Sequence, residues 1–85
     1  MRAADQILDE SFLEVRAKLL EVAATLDRID RGAEQQRLSP PAEQRRHKIQ
    51  AAIQICLSDD ADRATRLQRL FSRDYDGDWR TRLQV

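Results

Sequence analysis

From Leu8 onward the apolar residues Leu8, Phe12, Val15, Leu19, Val22, Leu26 and Ile29 follow one another at alternating spacings of four and three. That rhythm puts all seven on one helical stripe, the pattern of a heptad seam. It predicts a helix from about residue 5 to residue 31. Leu13, Ala17, Leu20, Ala23 and Ala24 widen the apolar surface to one side, so this helix can touch two neighbours. Asp5, Asp9 and Glu10 near its start and Arg28 and Arg31 near its end complement the helix dipole. Glu14 with Lys18 and Asp27 with Arg31 have the i,i+4 spacing of surface ion pairs. Gly32 fits the left-handed position just past a helix end. Ser11 and Glu14 also read as a capping box that would restart the helix at Ser11, but Leu8 keeps the phase of the stripe and favours one continuous helix.

The next pattern opens at "SPPAEQ", where Ser39 suits an N-cap and Pro40 the first helical position, since its missing N–H is not needed there. The apolar set expected on this second helix is Ile49, Ala52, Ile53, Cys56 and Leu57, with Ile55 more lateral. A third helix is expected from "SDDADRA", capped by Ser58 or Asp59, with Asp60 and Asp62 at its positive end and Ala64, Leu67, Leu70 and Phe71 as its inward stripe. No segment alternates with period two, so no sheet is expected. The resulting fold class is all-α: a long N-terminal helix packed with two shorter ones, as a three-helix bundle or a helical hairpin plus a helix. Residues 1–85 read as one small domain, with 32–41 as the linker between the first two helices and 74–85 as a turn-containing C-terminal tail.

Length sharpens this expectation. A first helix of residues 5–31 is roughly 40 Å long at 1.5 Å per residue, whereas a compact domain of 85 residues is only about 30 Å across. A domain this small also buries only about 60–65% of the surface its unfolded chain exposes. The long helix therefore overhangs, and its free heptad positions call for a second copy of the chain. A homodimer in which the long helices pair is the simplest closed solution. The residues expected at that interface are Leu8, Phe12, Val15, Leu19, Val22 and Leu26, against the alternative that the same stripe is internal core.

Composition narrows the partners. Fifteen basic and fifteen acidic residues leave a formal net charge of zero, so no bulk field draws the chain to nucleic acid or to an acidic membrane. Arginine far outnumbers lysine (the lysines are Lys18 and Lys48). Arg is the better phosphate fork, but GC-rich bacterial coding gives the same bias and explains it more simply. The single cysteine, Cys56, excludes an intramolecular disulfide, the start "MRAADQILDE" has no apolar targeting segment, and no apolar run nears the ~18 residues of a membrane span. A cytoplasmic protein is the expectation.

Few residues invite chemistry. "RDYDGDW", residues 73–79, places Asp74, Asp76 and Asp78 around Gly77, but an EF-hand calcium loop needs glycine at its sixth position and glutamate at its twelfth. Counted from Asp74, glycine is fourth and the twelfth residue is Val85. Asp76-Gly77 is a turn dipeptide that would bring Trp79 and Leu83 back beside Phe71 and Tyr75. His47, the only histidine, shares a helix face with Glu43 but has no nucleophile and no further ligands beside it, and reads as a surface residue. Cys56 reads as a core thiol. The "RRHK" stretch of residues 45–48 fans around its helix and makes no patch, because each residue turns by about 100°.

Arg66, Arg69 and Arg73 do form a stripe, on the third helix. The stripe could contact phosphate or an acidic partner, and together with Trp79 it could hold a heterologous protein partner, since Arg and Trp are favoured interface anchors. A helix-turn-helix made of the second and third helices would lead with Asp59, Asp60 and Asp62, which repel phosphate, so nucleic acid is disfavoured. No phosphate loop, paired-cysteine spacing or nucleophile motif occurs, and the chain has two glycines in all. The expected function is that of a small non-catalytic interaction or scaffold protein without a cofactor, homodimeric through the long helix. A nucleic-acid-binding regulator using the arginine stripe and a metal-binding or enzyme-accessory helical protein are the alternatives.

Overall fold

The computed structural model of the chain describes residues 2–72. Three helices occur among them and no strand: α1 (Ala4–Gln35), α2 (Pro40–Leu57) and α3 (63–72). The all-α class is therefore as the hydrophobic periods indicate. The chain divides into two compact units, Met1–Arg37 and Leu38–Val85. The expected tail turn at Asp76-Gly77, with Tyr75, Trp79 and Leu83, lies outside the described residues.

The first unit is α1, a single helix of 32 residues, roughly 48 Å long at 1.5 Å per residue. It begins with Ala3 extended and without a side-chain cap; the Ile7 amide donates to the Ala3 carbonyl at 3.1 Å. Arg2 reaches forward to Glu10 at 2.6 Å, which holds the uncapped end. Ser11 starts nothing: the helix passes through it. Further along, Lys18 pairs with Glu14 at 3.2 Å, and the Thr25 hydroxyl donates to the Glu21 carbonyl at 2.8 Å while accepting from Arg28 at 3.0 Å. The Asp27–Arg31 pair that the spacing allows does not form within salt-bridge distance.

Gly32 does not end α1, contrary to expectation. The helix continues to Gln35, no glycine among the described residues has positive φ, and the Gln36 amide donates to the Gly32 carbonyl at 3.0 Å. Ala33, Glu34 and Gln35 are good helix formers, and one glycine costs only about 1 kcal/mol relative to alanine. The break between α1 and α2 thus narrows from the expected 32–41 to residues 36–39. A Cβ added at Gly32 meets nothing within 4 Å, so Gly32→Ala should stabilise the protein by about 0.5–1 kcal/mol in chemical denaturation. A loss of stability would show that the helix does not pass through this position in solution.

In the second unit α2 starts as its sequence dictates. Ser39 is extended, its hydroxyl accepts from the Ala42 amide at 3.3 Å, and Pro40 opens the helix. At the other end Ser58 closes it, its amide donating to the Gln54 and Ile55 carbonyls. Here the third helix departs from expectation. Ser58 belongs to the end of α2, Asp59 and Asp60 lie in the bend of residues 58–61, and α3 begins only at residue 63. The cause is Asp62, whose φ of 69° is left-handed. A residue in that conformation cannot continue a right-handed helix, and Asp is among the few side chains that tolerate it. Its carbonyl accepts the first bond of α3, from the Arg66 amide at 2.9 Å.

Burial departs further from the sequence pattern. No described residue is fully buried. On α2 the half-buried set is Ala42, Arg46, Lys48, Ile49, Ala52 and Ile55, while Ile53, Cys56 and Leu57 are exposed. Cys56 is therefore a surface thiol and not a core one. The last turn of α2 is covered on the Ile55–Ser58 flank because the next turn of the chain is tied there: Arg63 Nε donates to the Ser58 carbonyl at 2.7 Å, and Arg66 donates to the Ser58 hydroxyl at 3.0 Å. On α3, Leu67 and Leu70 are half-buried, whereas Ala64 and Phe71 are exposed.

Candidate functional site

The most distinctive surface among the described residues is the front two-thirds of α1. Heptad spacing stacks Leu8, Phe12, Val15, Leu19 and Val22 along one stripe, and every one is exposed, from 41% at Val22 to 64% at Leu19. Leu8, Phe12, Val15 and Leu19 line one shallow depression together with Ser11, Arg16, Leu20 and Ala23. Of the six residues expected at a self-association seam, five are thus uncovered. The sixth, Leu26, is half-buried, and so are Ile29 and Ala33 one and two turns beyond it. The stripe therefore changes character along its length: open at the front, partly covered at the back.

A scattered exposed leucine needs no explanation, but a contiguous apolar strip does. Each large aliphatic or aromatic side chain moved from water to an apolar contact contributes about 1.5–3 kcal/mol. Five of them in line are enough to drive association of two helices.

The flanks of the stripe are informative as well. Asp9 and Arg16 lie seven residues apart on the same side of it, both exposed, and neither forms an ion pair among the described residues. The apolar rhythm alone does not single them out; the signal that finds them is opposite charge at heptad spacing beside the seam.

The second expected surface is divided. Arg66 is half-buried and fixed by Ser58, whose hydroxyl in turn donates to the Ile55 carbonyl at 2.7 Å. Its guanidinium closes the α2–α3 turn before it can serve a partner. Arg69 is exposed and lines, with Ile55, Arg66 and Leu70, a small hollow of about 260 Å³. Arg73 and Trp79 lie outside the described residues. Because Ser58 and Arg66 act as one unit, Ser58→Ala and Arg66→Ala should each cost about 1 kcal/mol in denaturant unfolding, and the double variant clearly less than the two together. Strict additivity would mean that this bond contributes nothing in solution.

His47 and Glu43 are both exposed on α2, and among the described residues no group of three His, Cys, Asp or Glu side chains could hold a metal ion. No helix among the described residues is long and apolar enough to cross a membrane. No protein-family model, curated protein or solved structure matches this chain.

Proposed function

We propose that this chain is a small, non-catalytic helical interaction protein that self-associates through α1. The observation that carries the reading is the run of exposed Leu8, Phe12, Val15, Leu19 and Val22 on one face of a helix of 32 residues. A monomer would leave that strip in water, whereas a second copy offers a surface of the same shape and closes the assembly with a two-fold axis. The second unit, with Arg69 exposed on α3 and Asp59 and Asp60 exposed in the bend before it, is then presented twice per particle, which suits a scaffold that gathers other proteins.

Support comes also from charge: a formally neutral chain has no long-range repulsion to oppose pairing with itself. The test is the solution mass across a concentration series by analytical ultracentrifugation. A particle of two chains that dissociates on dilution is the expected result. A mass of 9.9 kDa at every concentration up to about 1 mM, where even an affinity of only about −4 kcal/mol would show, sinks the proposal.

A further inference from the structure

Resting on self-association through α1, we infer that the two helices pair antiparallel, in a single register centred between Leu13 and Glu14, with Asp9 of each copy facing Arg16 of the other. The exposed part of the stripe sets the overlap. Leu8 to Val22 is open and Leu26, Ile29 and Ala33 are already half-buried, so the second copy has its apolar vacancy at the front of α1. An antiparallel pair centred there covers that front with itself: Leu8 opposes Leu19 and Phe12 opposes Val15, each twice. Val22 falls opposite Asp5, where the seam runs out into solvent.

Symmetry decides which charges meet. In a parallel pair the two-fold axis runs along the helices and brings opposite flanks together, so Asp9 and Arg16, which share a flank, never face one another. In an antiparallel pair the axis is perpendicular to the helices, and each flank meets its own copy. The register that stacks Leu8 on Leu19 then sets Asp9 against Arg16 on both sides of the axis. Sliding one helix by a heptad in one direction puts Asp9 against Asp9, and in the other direction Arg16 against Arg16. Like charges thus guard both neighbouring registers. A register further back would instead place Arg16 opposite Asp30, but Asp30 already has an interaction of its own, and that overlap leaves Leu8 and Phe12 uncovered.

The experiment is charge reversal in the full chain: Asp9→Arg, Arg16→Asp and the double variant, compared with wild type by sedimentation equilibrium at low salt. Each single reversal should weaken the dimer by about tenfold, because it creates two repulsive pairs, and the double should return to within about threefold of wild type. Circular dichroism on all four proteins separates loss of helix from loss of pairing. A wild-type dimer whose double variant stays as weak as the product of the singles overturns the antiparallel register and leaves self-association standing. A wild-type monomer overturns both. Spin labels at position 24 (Ala24→Cys with Cys56→Ser) give the second readout: about 35 Å between labels for the antiparallel pair and about 20 Å for a parallel one.

Discussion

Replacing Leu19 by aspartate should abolish self-association and leave a helical monomer. Leu19 is 64% exposed in the single chain, so the substitution removes little from the isolated fold; it acts on the pair. Each dimer contains this position twice, and in the proposed register each leucine meets Leu8 of the other copy. Losing two such burials costs about 3–6 kcal/mol, and taking two carboxylates toward an apolar seam adds to it. The dissociation constant should rise by at least about a hundredfold, since 1.4 kcal/mol is a factor of ten. Leu13→Asp is the matched control. Leu13 is more exposed still, at 72%, but lies off the stripe, and the mass of that variant should not change. If Leu19→Asp and Leu13→Asp behave alike, the stripe is not the contact.

The second large effect is expected in α2. Ile55 is half-buried and faces the turn held by Ser58 and Arg66, whereas Leu57, two residues on, is 76% exposed. Ile55→Gln should therefore lower the unfolding free energy by about 1–2 kcal/mol, because it removes apolar contact and leaves an amide beside Leu70. Leu57→Gln should stay within about 0.5 kcal/mol of wild type. Glutamine is a good helix former, so both variants isolate packing from propensity. The reverse order in urea denaturation would show that α2 turns its Ile53–Leu57 side inward, as its sequence alone suggests.

That contrast shows where the sequence is readable. The stripe of α1 holds its period from Leu8 to Ile29, long enough that one glycine or one capping box cannot interrupt it; propensity at Gly32 is a small term beside three further helix-forming residues. On α2 the apolar residues Ile49, Ala52, Ile53, Ile55, Cys56 and Leu57 spread around most of the helix, so the periodicity is weak, and at the last turn the covered flank is chosen by the segment after the helix. That segment is a turn fixed by hydrogen bonds from Arg63 and Arg66 to Ser58. Arginines five and eight residues past a serine carry no sequence signal for such a clasp. The start of α3 escaped for a related reason: three aspartates compete to precede it, and the left-handed backbone of Asp62 that decides between them is a single dihedral angle. The helical stripe itself, being a matter of spacing, was legible; the flanking pair of Asp9 and Arg16 becomes meaningful only once the structure shows which part of the stripe is exposed.

No described residue is fully buried, and this bears on the lifetime of the protein in a cell. Under the proposed self-association, the largest apolar strip is covered by a second copy, and the chain draws part of its stability from mass action, which adds RT ln(1 + [L]/Kd) for each bound partner. At low abundance α1 of each molecule stands open to proteases and chaperones; at high abundance the same helix is sheltered. Turnover then falls as expression rises, so that the amount of protein present becomes a steep function of its rate of synthesis, with a threshold near the dissociation constant of the pair.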